Sequence, residues 1–309
     1  MEIRKLQGLI AAPLTPMRED GSLNPAVIEK QARLFKAHDI TGVFVCGTTG
    51  ESLSLTLEER EQVAEHWRRC SGDRLPVIVH VGCECLKDAK ELARHAQDIG
   101  ADAVGSIAPT FFKPTDLATL VEFCREVAFA ASELPFYYYH IPALTGLSYP
   151  MYDFLQTAEK KIPNLAGIKY SSEDLYDYGR CLFFGDKKYD ILFGCDEMLL
   201  GALAIGARGA VGSFYNFLAP IFRKIITAYE QGDLVRAQEL QELVRRFTSI
   251  YDQYGGSINA AKAVMKMTGI DCGPVRLPLR TLDKSAFDDM REEIENTGID
   301  RYFMKTIDL

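Results

Sequence analysis

Eight times along this chain a short run rich in Val, Ile, Leu and Phe is followed by a longer amphipathic stretch. The runs predicted as strands are Leu9–Ala12, Gly42–Val45, Val77–Val81, Ala103–Ile107, Pro135–Tyr139, Leu165–Tyr170, Ile191–Phe193 and Ala210–Gly212. Their hydrophobicity is continuous rather than alternating, as expected for parallel strands covered by helices. Eight such units predict an α/β chain folded as a closed (β/α)8 TIM barrel rather than an open sheet. At 309 residues the chain is long enough for one core of that size.

Helix signals fall between the strands. Asn24-Pro25 offers an N-cap and a first-turn proline, and Thr56-Leu57-Glu58-Glu59 reads as a capping box. Ala89, Leu92, Ala93, Ala96 and Ile99 share one helical face that Gly100 closes; Leu117, Leu120, Val121, Cys124 and Val127 share another. Strand patterns cease near residue 229. Leu240, Leu243, Val244, Phe247, Ile250 and Tyr251 mark one further helix, Asn259–Met267 a second and Ala286–Glu295 a third. Residues 1–228 are expected to form the barrel and 229–309 a C-terminal helical extension packed on it. No polar linker separates the two, so a single structural unit is predicted.

Charge and composition narrow the function. Net charge is −8 with no block of Lys or Arg, which disfavours nucleic acid or an anionic membrane as partner. Met1-Glu2-Ile3-Arg4-Lys5 runs into a strand without a basic-then-apolar signal, and the longest apolar stretch, about Met198 to Ala207, is too short to span a bilayer. A cytoplasmic protein is expected. Its eight cysteines are scattered, and Cys83-Glu84-Cys85 has the wrong spacing for a zinc site; reduced thiols and no metal are expected. The five histidines form no HxxxH pair.

In a barrel of this kind the chemistry sits at the carboxyl ends of the strands, and the unusual polar residues fall there. Strand two exits into Gly47-Thr48-Thr49-Gly50-Glu51, strand five ends on Tyr139, strand six on Lys169 with Ser171 beyond, strand seven on Gly194-Cys195-Asp196-Glu197, and strand eight on Gly212-Ser213. Burial disfavours the charged form of an amine, so a desolvated Lys169 is able to attack a ketone. A phenol at Tyr139 would move the protons that imine chemistry needs. The alternative is a lysine that snorkels to water.

The other groups also read two ways. Gly47-Thr48-Thr49-Gly50 is either a tight βα turn or a carboxylate cradle of hydroxyls and backbone N–H groups; lacking a P-loop lysine, it does not bind nucleotide. Asp196-Glu197 suits either a helix N-terminus or the hydroxyls of a polyol. His140 is expected to order the loop before Pro142. Of Tyr137, Tyr138 and Tyr139, alternation sends the rings to opposite faces.

Taken together, these motifs resemble the pyruvate-dependent class I aldolase/lyase family that includes dihydrodipicolinate synthase and N-acetylneuraminate lyase. The resemblance runs from Leu9-Ile10-Ala11-Ala12-Pro13-Leu14-Thr15-Pro16 to Gly209-Ala210-Val211-Gly212-Ser213. Tyr139-His140-Ile141-Pro142-Ala143-Leu144-Thr145-Gly146, Gly167-Ile168-Lys169-Tyr170-Ser171-Ser172 and Gly194-Cys195-Asp196-Glu197-Met198-Leu199-Leu200 look like the N-acetylneuraminate lyase branch. Dihydrodipicolinate synthases typically carry arginine at the position of Leu144 and glutamate at that of Tyr170.

The resemblance implies reversible cleavage of N-acetylneuraminate to N-acetylmannosamine and pyruvate, with no cofactor beyond a covalent imine on Lys169, by a homotetramer. Another 2-keto acid such as 2-keto-3-deoxygluconate, dihydrodipicolinate synthesis, and a non-catalytic sugar-acid-binding barrel are the alternatives. It further implies that Tyr139 shuttles the proton, that Thr48 and Thr49 hold the carboxylate, and that Ser171, Gly194, Asp196, Glu197 and Ser213 bind the sugar polyol. Ser171 and Phe214 stand where these lyases usually have threonine; the first keeps a hydroxyl, while the second removes one and adds bulk.

Overall fold

Each of the apolar runs forms a strand because both of its faces have a hydrophobic layer to meet. The structure, a computed structural model, describes residues 3–306, so the outer bounds 1 and 309 of the two expected segments, like Met1-Glu2, lie outside the described residues. The strands are β1 (Gly8–Ala11), β2 (Gly42–Val45), β3 (Val77–His80), β4 (Ala103–Ser106), β5 (Phe136–His140), β6 (Leu165–Tyr170), β7 (Asp190–Phe193) and β8 (Gly209–Gly212). They close in chain order into a parallel barrel, β8 returning to β1 from Gly8↔Gly209 to Ala11↔Gly212. The predicted TIM barrel is the observed fold.

Strand ends differ from expectation by a residue or so. Ala12, Val81, Ile107 and Pro135 lie outside the ladders, whereas Gly8, His140, Asp190 and Gly209 join them. Pro135 has no N–H to donate and offers only its carbonyl, which accepts from the Val104 N–H at 2.9 Å.

Helices α1 (Pro25–Ala37), α2 (Leu57–Ser71), α3 (Leu86–Asp98) and α4 (Leu117–Ala130) follow the first four strands. The single turn α5 (Pro142–Thr145), α6 (Met151–Ala158), α7 (Leu175–Phe183), α8 (Leu199–Ile205) and α9 (Ala219–Glu230) complete the ring. Helices α10 (Leu234–Gln253), α11 (Ile258–Met267) and α12 (Lys284–Thr297) follow. The capping box at Thr56 forms in both directions, Thr56 accepting from the Glu59 N–H and Glu59 from the Thr56 N–H. The Asn24 side chain makes no cap bond, so only Pro25 serves the start of α1 as expected.

Side-chain alternation divides the apolar residues into two layers. Inside the barrel lie Ile10, Phe44, Ile78, Tyr137, Tyr139, Leu192 and Val211, among others. Between sheet and helices lies a larger shell that includes Tyr138, stacked on Phe154 of α6 at 4.7 Å. Tyr139 therefore faces the interior, as does Tyr137, whose hydroxyl donates to Asp190 at 2.9 Å.

Candidate active site

Tyr139 and Lys169 are direct register partners on the neighbouring strands β5 and β6. Lys169 is 4% exposed, and its Nζ sits 3.8 Å from the centre of the Tyr139 ring and 4.3 Å from that of Phe44. The snorkelling alternative is thereby excluded: the amine ends among aromatic rings rather than in water. The Tyr139 hydroxyl lies 3.3 Å from Thr48 Oγ1, which joins the loop after β2 to the strand-five phenol.

Two residues beneath this pair carried no signal as site residues. Phe44 meets Tyr139 edge-on at 5.5 Å, and Gly47 has no side chain because a Cβ there would lie 2.9 Å from the Phe44 ring. His80 packs 5.9 Å from Tyr139 with Nδ1 2.9 Å from the Cys46 carbonyl. Burial, then the charges of Arg60 and Lys169, push its imidazole well below the usual histidine range, so it is neutral and Nδ1 donates. Arg60 is itself buried, donating to the carbonyls of His80 at 2.7 Å and Gly82 at 3.0 Å. Phe44 and His80 are ordinary strand residues locally; only barrel closure brings them under the amine.

On the far side of Lys169 the loops after β6, β7 and β8 meet. Gly194 lacks a side chain where a Cβ would fall 2.0 Å from Ser171 Oγ, so the half-buried serine leans across β7. Asp196 is buried and its Oδ2 accepts from the Phe214 N–H at 2.8 Å. The buried Tyr215 hydroxyl also faces this carboxylate, and Oδ1 overlies Gly212, where a Cβ would lie 1.7 Å away. Burial raises this carboxyl to about 7, opposed by the Phe214 N–H, with the Glu197 charge raising it further. Glu197 is half-buried and is also raised by burial, with Glu173 and Asp252 adding to the effect. Thr49 and Ser213 are half-buried at the same barrel end.

Phe214 does not simply add bulk to the site. Its ring packs edge-on against Phe247 and Tyr251 of α10, each at 5.1 Å. His140 ends β5 with its ring on the outer face, 5.0 Å from Tyr170. Burial lowers it to about 4. Its carbonyl accepts from the Ser171 N–H at 2.8 Å, a main-chain bond that any residue would make. Its Nδ1 has no hydrogen-bond partner among the described residues, so the expected ordering of the loop before Pro142 by this side chain is not seen. Among the described residues no group of three or more His, Cys, Asp or Glu is disposed to hold a metal ion, no helix is long and apolar enough to cross a membrane, and all eight cysteines are free.

The sequence model of the dihydrodipicolinate synthetase family matches residues 5–297. The chain belongs to that family. Among members of the dihydrodipicolinate synthetase family it is 46% identical over 281 residues to N-acetylneuraminate lyase of Rattus norvegicus, spanning 90% of this chain and 88% of that one. The Homo sapiens N-acetylneuraminate lyase is 44% identical over 297 residues, 95% of this chain and 93% of that one. The solved Proteus mirabilis N-acetylneuraminate lyase matches with a TM-score of 0.93 and 42% identity, covering 96% of this chain and 100% of that chain. The Aliivibrio salmonicida N-acetylneuraminate lyase (sialic acid aldolase) gives 0.93 at 40% identity, covering 96% and 98%. The resemblance read from the motifs is borne out at the level of family and branch.

Proposed function

We propose that this protein is a Schiff-base carbon–carbon lyase that reversibly cleaves N-acetylneuraminate to N-acetylmannosamine and pyruvate. The observation that carries this reading is the buried Lys169 amine against the Tyr139 ring, in a chain 46% identical to a lyase of that name.

Lys169 Nζ attacks C2 of the open-chain keto acid, and loss of water leaves a protonated imine. Tyr139 gives its proton to the departing C2 hydroxyl as the imine forms, and the resulting phenolate takes the proton of the C4 hydroxyl as the C3–C4 bond breaks. The bonding pair passes into the imine, giving an enamine, and C4 departs as the aldehyde carbon of N-acetylmannosamine. Protonation of the enamine at C3 and hydrolysis release pyruvate and restore the amine. A positioned acid–base group of this kind typically contributes ~10²–10⁴-fold. The imine serves as the electron sink, so the reading needs no cofactor.

Thr48 and Thr49 hold the substrate carboxylate through hydroxyls and adjoining N–H groups, without a full positive charge. Ser171, Gly194, Asp196, Glu197 and Ser213 bind the polyol; the bare backbone of Gly212, which leaves room for Asp196 Oδ1 at the end of β8, supports this assignment. The barrel of residues 1–228 and the extension from 229 act as one unit in the cytoplasm, assembled as a homotetramer. Phe111 and Phe112, 79% and 84% exposed after β4, supply apolar surface that another copy would cover.

The test is pyruvate release from authentic N-acetylneuraminate, beside 2-keto-3-deoxygluconate and beside dihydrodipicolinate synthesis from pyruvate and aspartate semialdehyde. Turnover of N-acetylneuraminate with the highest kcat/KM supports the proposal. Binding without turnover in calorimetry would favour a sugar-acid sensor instead.

A further inference from the structure

We propose that the C-terminal extension holds the two ends of the substrate site through separate positioning residues, Lys262 at the carboxylate end and Gln241 at the sugar end. The inference rests on the substrate orientation given above. Both residues are buried polar groups on otherwise apolar helical faces, and neither has a role in the chemistry.

Lys262 lies on α11, flanked by Ala260, Ala261 and Ala263, and is 4% exposed. Its Nζ is 2.7 Å from Glu51 Oε1 and donates to the Pro274 carbonyl at 2.6 Å. The other Glu51 oxygen accepts from the Arg276 N–H at 3.0 Å. A buried ion pair costs desolvation, and apolar replacements of similar volume are often as stable. Packing alone therefore gives no reason for this one.

What the pair does is geometric. Glu51 closes the turn that presents Thr48 and Thr49, its N–H donating to the Thr48 carbonyl at 3.0 Å. Cys46 and Glu51, at the two ends of that turn, both have left-handed backbones, with φ of 56° and 58°. Non-glycine residues persist in such conformations where surrounding contacts over-determine them. The Lys262 ammonium is such a contact. It fixes a strained turn whose Thr48 hydroxyl meets Tyr139.

Gln241 lies on α10 and is fully buried. Its Nε2 donates to the carbonyls of Asp196 at 3.3 Å and Glu197 at 3.0 Å, while its Oε1 accepts from the Leu200 N–H at 3.0 Å. One amide thus satisfies three backbone groups of the short turn that carries both carboxylates. The two clamps sit on different helices and share no partner, so their effects are expected to separate.

The experiment is steady-state condensation, varying pyruvate and N-acetylmannosamine in turn, for the full-length parent, Glu51→Gln/Lys262→Met and Gln241→Met. The first variant removes the ion pair without leaving a lone buried charge. It should raise KM for pyruvate by about 10-fold or more, with KM for N-acetylmannosamine held within about 3-fold; the second should do the reverse. Equal changes in both constants, or parental constants in folded variants, overturn the inference. If the double variant does not fold, Lys262→Arg, which keeps the charge but shifts it, is read by the same criterion. Loss of folding in both overturns the Lys262 assignment, since the pair is then a structural one. Borohydride trapping of the parent with pyruvate keeps the two questions apart. A parent that forms no adduct defeats the Schiff-base reading, whereas a trapped parent with unaltered variants defeats only the clamps.

Discussion

The Lys169 amine lies 3.8 Å from the centre of the Tyr139 ring, on the strand next to it and at the register position directly opposite. This places a nucleophile and a phenol in one desolvated pocket without any loop having to close. The same contact makes the phenol's two contributions separable: its ring packs, while its hydroxyl, 3.3 Å from Thr48, is what chemistry would use.

Tyr139→Phe keeps the ring against Lys169 and Phe44 and deletes only the hydroxyl. We expect kcat for cleavage to fall roughly 10²–10⁴-fold with little change in Tm. Stopped or coupled pyruvate assays, paired with thermal unfolding, check this. A variant with parental kcat would remove Tyr139 from the proton path.

Phe214→Thr introduces the residue more usual at this position. Because the Phe214 ring is spent on Phe247 and Tyr251, the change should cost about 3 kcal/mol or more of stability and leave sugar preference as it was. Denaturant titration and relative kcat/KM for two acylated sugar acids measure the two effects. A shift in preference without loss of stability would show that the ring borders the sugar instead.

How much of this was legible in the chain follows from which signals are local. Continuous apolar runs identify parallel strands residue by residue, and their count implies closure. Lys169, Tyr139 and Thr48 stand out because each is a polar group at a strand end. Phe44 does not, since its role depends on which face of a mid-barrel strand points inward, a parity that only the closed sheet sets. His80 does end β3, but the apolar run continues past it to Val81 and hides that position. Lys262 and Gln241 left a fainter trace, a polar residue on an apolar helical face, but their partners lie 211 and about 45 residues away in sequence. Asn24 shows the opposite failure, a strong local cap signal that the chain does not use.

The floor of the barrel predicts a pH dependence of stability. Burial raises the Asp190 carboxyl from an ordinary 3.8 to about 6, against the opposing pull of the Leu6 N–H, the Tyr137 hydroxyl and the Lys5 charge. The folded state therefore holds this proton more tightly than the unfolded chain. Stability from this group is present in full below the unfolded value and is lost as pH rises from about 4 through about 6, by roughly 3 kcal/mol in all. Asp190→Asn cannot ionise, so its Tm relative to the parent should increase between pH 4 and pH 7. A difference that stays flat over that interval would contradict the assignment.

All of this chemistry depends on the Lys169 amine forming the covalent imine. Incubating the protein with pyruvate and borohydride, then sequencing the peptides by mass spectrometry, tests it most directly. One reduced pyruvate is expected on the peptide containing Lys169, absent without pyruvate and absent in Lys169→Met. Unmodified Lys169, or an adduct on another lysine, would contradict it.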